Sequence, residues 1–262
     1  MSKPKISFVM PVRNCAAYLA QTFTSLLQQN LKDIEIIALN DCSTDSSLDI
    51  LKHYEKNKKI KVIDSKEQRG AAWLRNLGNA MAGADIICVT DAGDLYHYAR
   101  AKTTYKYFQK NPNIDIFSTG VEVIDSVDRH LKYEFPRLLD IGYGKKPSIS
   151  HPTVAYRKRV IEKIKYRELT VHSDLYEAFL LEAVRAGFKH GFINQVYVKK
   201  RYTPELSGFR NLIEAWKYKK EVYIEFGIPL PKFLKGKVTL DRITKRKNGK
   251  YKLGSRHANI QK

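Results

Sequence analysis

Residues 89–96 read VTDAGDLY. They follow Ile86, Ile87 and Cys88, so a run of β-forming residues stops abruptly on two carboxylates, Asp91 and Asp94, separated by Ala92 and Gly93. Asp and Gly are the usual turn residues, which is the plain reading. The other reading is that the run is a strand of a parallel sheet, whose carboxyl end is where open α/β folds bind ligands. What the neighbouring strands end in decides between them.

The first 118 residues alternate between two periodicities. Lys5–Met10, Ile34–Leu39, Ile60–Ile63, Ile86–Thr90 and Ile114–Ser118 read as strands, several of them continuously apolar, as strands buried on both faces are. Between them Ala16–Gln29, Ser46–Asn57, Ala71–Ala82 and Ala99–Gln109 carry apolar residues at helical spacing, with Asn14 placed to cap the first and Gly83 to stop the third. Such alternation predicts a parallel sheet with right-handed crossovers. After Gly120 the pattern loosens, then resumes with a helix over Leu175–Ala186 and a strand over Gln195–Tyr202.

Three strand ends carry functional residue types. The first runs into Pro11-Val12-Arg13-Asn14, the second into Asn40-Asp41-Cys42-Ser43-Thr44-Asp45, and the fourth into Asp91-Ala92-Gly93-Asp94. In a parallel sheet these ends share one edge, so Asp41, Asp91 and Asp94 converge there, which favours a site over a simple turn.

The bulk numbers bound the partners. The 262 residues, 43% hydrophobic, are enough for one large domain or two small ones. No apolar run approaches the roughly 20 residues that span a bilayer. Cys15, Cys42 and Cys88 form neither a disulfide framework nor a zinc spacing, which fits a reducing, cytoplasmic setting. The net charge of +20 calls for an anionic partner or, in the plain reading, is a solvated lysine-rich surface. From Phe209 to Lys262 there are 15 Lys or Arg against 4 Asp or Glu, so more than half of that charge sits in the last fifth of the chain.

The order of these pieces resembles the family-2 inverting glycosyltransferases of the GT-A fold. MPVRN, LNDCSTD, RGAAWLRNLGNA and VTDAGD stand in the family's order, followed by SHPTVAYRKRVIEK and HSDLYEAFLLEAVRAGF, over roughly residues 5–205. The resemblance implies an α/β, GT-A (Rossmann-like) fold: a mostly parallel central sheet flanked by helices, with a basic C-terminal extension. Residues 1–118 would be the nucleotide-sugar half, 119–208 the acceptor and catalytic-base half, and 209–262 the extension.

Roles follow from the same resemblance, each beside a plain alternative. Pro11 and Arg13 would line base and ribose, or simply end a strand. Asp41 would accept the imide N–H of a uracil, or belong to a helix entry. Arg75 would reach the diphosphate bidentately, or lie on a solvated helix face. Gly70 would let backbone pass close to the nucleotide, or be an ordinary N-terminal turn. Asp91 would bind the nucleotide and support a cation. The family's cation-binding third position of Asp-Ala-Asp-Asp is here Gly93, so Asp94 would be the main ligand of Mn2+ or Mg2+ if the loop bends by one residue; otherwise the metal is held weakly, or basic side chains replace it. Asp174 would be the general base, or cap the helix after it. His151, His172, Arg201 and Tyr202 would face the acceptor or the phosphates.

The reading is an inverting transfer from a nucleotide-diphosphate sugar, a UDP-sugar by the Asp41 argument, to a hydroxyl. Its acceptor is a cell-surface glycan or lipid-linked molecule at an anionic membrane, with the protein peripheral to it, or DNA carrying a hydroxylated base. The alternatives are a nucleotidyltransferase, which would open with a Gly-rich phosphate loop that MPVRNCAAYL lacks, a non-catalytic nucleic-acid-binding protein, which leaves the three carboxylate-bearing strand ends unexplained, and a degenerate glycosyltransferase that binds without turnover, suggested by Gly93.

Overall fold

Strand β1 (Ile6–Val12) is apolar at nearly every position, and both of its faces are covered. Side chains alternate along a strand. Phe8 and Met10 enter one core with Leu19, Phe23 and Leu26 of α1 (Ala16–Leu27), Leu51 of α2 (Ser47–Lys56) and Phe108 of α4 (Arg100–Lys110). Val9 enters a second core with Leu74 of α3 (Ala71–Met81), Val160 of α5 (Lys158–Lys163) and Phe179 of α6 (Tyr176–Arg185). The helices thus form a layer on each side of the sheet.

The computed structural model describes residues 3–57, 60–137, 149–168, 176–202 and 218–230, and the backbone of 243–245 and 251–253. They divide into two compact units. In the larger, the strand order is β3-β2-β1-β4-β8-β6-β9-β5, with β7 added to β6. Strands β3 (Lys61–Ser65), β2 (Ile34–Asp41), β1 and β4 (Ile86–Val89) are parallel. Strand β8 (Ala155–Arg157) runs against both β4 and β6 (Ile116–Ile124), and β9 (His190–Arg201) runs parallel to β6. Strands β6 and β9 therefore point the same way as β4, and their carboxyl ends lie on the same edge. Strands β5 (Leu95–Tyr96) and β7 (His130–Glu134) pair antiparallel with β9 and β6. In the smaller unit a helix over 218–225 leads to Phe226 and Ile228, with Tyr223 buried, and Ile243–Lys245 pairs antiparallel with Tyr251–Leu253.

The parallel half follows the expected alternation; the second half departs from it. The sequence places the end of β6 at Ser118, and its pattern loosens after Gly120. The strand instead continues to Ile124 with a register shift at the glycine, where a Cβ would come within 2.9 Å of the Phe135 ring. The missing Cβ makes room for that ring. Asn14 does not cap α1, which opens from Cys15 without a side-chain cap.

Gly78 sits where α3 crosses β1 and β2, and a Cβ there would meet Val9 at 2.5 Å and Leu39 at 2.9 Å. Gly78→Val should lower stability by about 1–3 kcal/mol through overpacking. A urea midpoint equal to wild type would show that the helix does not lie this close.

Candidate active site

The first two strand ends are locked together by short polar side chains. Asn14 and Cys42 both take positive φ, 49° and 54°. The Thr44 N–H donates to Asn14 Oδ1 at 2.8 Å, and the Asn14 N–H donates to Ser43 Oγ at 3.2 Å. Asp45 accepts the N–H of Ala16 at 3.0 Å and of Ser47 at 2.9 Å, and so satisfies free donors at the start of both α1 and α2. The S-T-D run is a turn-building device shared by two helices.

Asp41 closes β2 and is 3% exposed. Its carboxylate accepts the N–H of Arg69 at 2.7 Å and of Gly70 at 3.2 Å, fixing the entry to α3, where Gly70 has φ 83°. Arg13 Nη1 donates to the Asp41 carbonyl at 2.9 Å and stands 4.0 Å from its carboxylate. Pro11 lies one residue before the end of β1, half-buried beside Leu39. Arg69 also borders a cleft of about 290 Å³ lined by Asp64, Ser65, Lys66, Glu67 and Trp73.

The third strand end is organised by two arginines. Arg75, buried in α3, pairs with Asp91 Oδ1 and donates to the Thr90 carbonyl at 3.4 Å. Asp91 keeps about a third of its side chain exposed, so the pair faces outward through the acid. The Tyr96 hydroxyl clamps the Asp91 backbone, accepting its N–H at 2.8 Å and donating to its carbonyl at 3.1 Å. Behind Tyr96 lies Arg100, 1% exposed, its guanidinium 4.7 Å from that ring and donating to the carbonyls of Val89 and Pro152. Sequence reasoning misses both Tyr96 and Arg100. Arg100 sits in RAKTTYKYFQK among three lysines, and the sequence carries no signal that this one cation is sealed in.

His151 is buried beside this group. Its Nε2 is 3.0 Å from the Tyr166 hydroxyl, and its ring stacks on Tyr176 at 4.6 Å. Burial, then the Arg75 guanidinium, hold it well below the usual histidine range, against the pull of Asp91. It is therefore neutral at neutral pH. His172 and Asp174 lie outside the described residues.

Asp94 does not do what the sequence implied. The loop bends at Gly93 (φ 110°), but the bend turns Asp94 inward, leaving it 4% exposed. Its Oδ1 accepts the Arg201 N–H at 2.9 Å, while Oδ2 is buried without a hydrogen bond. Burial, then repulsion from Asp91, push its carboxyl well above the usual carboxylate range. A cation bridging a diphosphate needs oxygens that face the ligand. Gly93 offers none, Asp91 is held by Arg75, and Asp94 faces β9. Among the described residues no three His, Cys, Asp or Glu side chains group to hold an ion. The expected Mn2+ or Mg2+ site on Asp94 and Asp91 does not fit.

Arg201 also differs from its implied part in meeting phosphate. Its Nε donates to the Gly93 carbonyl at 3.0 Å, Nη2 to Gln21 at 3.0 Å and Nη1 to the Asp125 carbonyl at 3.1 Å. Nη1 also pairs with Asp128 at 2.7 Å, and the group lies 4.4 Å over the Tyr18 ring. This arginine fastens the end of β9 to the loop after β4. Tyr202 beside it is half exposed, its N–H donating to Ile124.

A buried neutral histidine makes the fold acid-sensitive. The unfolded chain takes up the proton near pH 6.5, while folded His151 resists it, so stability falls as pH drops below that range. His190, pushed down by burial to about 4, adds to the same loss. His151→Gln should lose less stability than wild type between pH 7.5 and 5 in urea titrations. Equal losses would mean that His151 protonates freely in the folded state.

Comparison with known proteins identifies the family and the fold. The model of the family described as Glycosyl transferase family 2 matches residues 7–165. An uncharacterised glycosyltransferase of Methanocaldococcus jannaschii is 27% identical over 210 residues, 77% of this chain and 72% of that protein. The putative glycosyltransferase EpsE of Bacillus subtilis is 29% identical over 172 residues, 64% of this chain and 62% of its own length. Among solved structures, residues 1–349 of Staphylococcus aureus TarS in complex with UDP superpose with a TM-score of 0.67 at 17% identity, over 91% of this chain and 76% of that one. The mannosyltransferase PcManGT of Pyrobaculum calidifontis, in complex with GDP-Man and Mn2+, gives 0.65 at 13% identity, over 86% and 64%. These two share the fold. Matched by the family model over more than half its length, the chain belongs to glycosyl transferase family 2.

Proposed function

We propose that the chain moves a sugar from a nucleoside-diphosphate sugar, a UDP-sugar first, to an acceptor hydroxyl with inversion. The observation that carries this is the convergence of Arg13 with Asp41, and of Arg75 with Asp91, at one edge of the parallel strands. One structural neighbour is in complex with UDP and another with GDP-Man, which supports a nucleoside-diphosphate donor here. Asp41, through the loop at Arg69 and Gly70, and Arg13 bound the base and ribose side. Asp91, held by Arg75 and Tyr96, stands at the sugar and phosphate side.

The chemistry is a single displacement. The acceptor oxygen attacks the anomeric carbon as a carboxylate takes its proton, and the nucleoside diphosphate leaves with the electron pair of the broken C–O bond. Asp174, two residues before α6, is the proposed base. His151, neutral and buried, supports Tyr166 and Tyr176 rather than exchanging a proton. His172 and Tyr202 stay with the acceptor side.

Calorimetry should find UDP bound more tightly than ADP or GDP, with Asp41→Ala narrowing that preference. Asp174→Asn should lower turnover by roughly 10²–10⁴-fold while leaving UDP affinity nearly intact. Equal affinity for the three nucleotides would remove the base-reading part of Asp41. Near-normal turnover in Asp174→Asn would return that residue to helix capping.

The acceptor is read from charge. No helix among the described residues is long and apolar enough to cross a membrane. The basic residues of 209–262 suit a polyanion or an anionic lipid surface. Most of that segment, including ITKRKNGKYKLGSRH, lies outside the described side chains. Both readings of the acceptor, a glycan or lipid-linked molecule at a membrane and hydroxylated-base DNA, predict binding that salt weakens. Intact protein and a chain ending at Asp241 should be compared against duplex DNA and anionic liposomes at one ionic strength. Binding lost with the tail for liposomes alone supports the membrane acceptor; for DNA alone, the nucleic acid. No change for either would leave the tail a solvated surface.

A further inference from the structure

The bent loop after β4 leaves the diphosphate without the cation that the third position of the motif would bring. A diphosphate leaving group gathers negative charge as its bond to the sugar breaks, and fixed positive charge at that point lowers the barrier. Arg75 is committed to Asp91, and Arg201 to Gly93, Gln21 and Asp128. The charge has to come from elsewhere.

Strand β9 ends at the same edge of the sheet in the run Lys199-Lys200-Arg201. Neighbouring side chains leave a strand on opposite sides. Lys199 pairs with Glu122 at 3.3 Å. Lys200 lies between two committed cations, is half-buried, and makes no hydrogen bond or ion pair among the described residues. We propose that Lys200 is the donor-diphosphate ligand of this chain and stands in for a divalent cation that the Asp-Ala-Gly-Asp loop does not hold.

Two further features support this. The Lys200 ammonium favours the ionised form of Asp94 and disfavours protonation of His151, so it lies within electrostatic reach of both. Arg75 and Asp91 act on the same histidine, which gathers Lys200 with the pair that marks the phosphate side. Lysine also suits the task, since a compact charge on a four-carbon stem follows a phosphate that shifts during transfer.

The proposal rests on the nucleoside-diphosphate reading above, and the test separates the two. Wild type, Lys200→Met, Lys200→Arg and the neighbouring control Lys199→Met would be titrated calorimetrically with UDP and with uridine, each with Mn2+ and with chelator, after thermal melts show them folded. Lys200→Met should weaken UDP binding by about ten- to a hundredfold and leave uridine binding as in wild type. Lys200→Arg should retain part of the UDP affinity, Lys199→Met all of it, and Mn2+ should leave the wild-type affinity unchanged. UDP binding by Lys200→Met at wild-type strength, or wild-type UDP binding that depends on Mn2+, would overturn the proposal while leaving the donor reading standing. A wild type that binds neither UDP nor uridine would overturn both.

Discussion

A guanidinium sealed in the core holds the site together. Among the described residues no carboxylate pairs with Arg100: two carbonyls accept from Nη2, two aromatic rings face it, and Nη1 has no hydrogen bond. Burying a charge this way is costly, and an arrangement persists only when the contacts around it are satisfied together. Here those contacts are the end of β4, the turn that carries His151, and the ring of Tyr96. Tyr96 in turn clamps the Asp91 backbone. One cation therefore ties the end of β4 and the turn carrying His151 to the ring that holds the Asp91 backbone.

Strand direction then decides which residues meet. Because β8 is reversed between β4 and β6, strands β6 and β9 regain the direction of the parallel half. The edge where β1, β2 and β4 end is consequently the edge where Lys200 and Arg201 arrive, about a hundred residues later in the chain. The Asp94 carboxyl accepts the Arg201 N–H across that distance, and Arg201 returns a bond to the Gly93 carbonyl. The two contacts weld the late strand to the early loop.

The electrostatics separate two aspartates that look equivalent in the sequence. Asp91 meets Arg75 and keeps about a third of its side chain exposed. Asp94 is surrounded by protein, with Asp91 raising its affinity for a proton. Three residues along a loop, and a φ of 110° at the glycine between them, separate a partly exposed carboxylate paired with an arginine from a buried one.

The parallel half was legible in the sequence because its signals are local. Continuous apolar runs mark strands buried on both faces, helical spacing marks the crossovers, and parallel order alone places Asp41 and Asp91 at one edge. Arg75 stands in the RGAAWLRNLGNA stretch that carries the resemblance, and its partner Asp91 stands at the strand end the same reading singled out. What only the tertiary structure decided is where long-range partners stand. The strand read as ending at Ser118 because the Phe135 ring that needs the missing Cβ of Gly120 follows the next strand and folds back over it. Asp94 read as a cation ligand because the β9 backbone that takes its carboxyl is over a hundred residues away. Arg100 read as one more basic residue, and Arg201 read as a phosphate contact although it is its neighbour Lys200 that has no hydrogen bond or ion pair among the described residues. Periodicity reports which side of an element is buried; it does not report what another strand, arriving from elsewhere in the chain, will place against it.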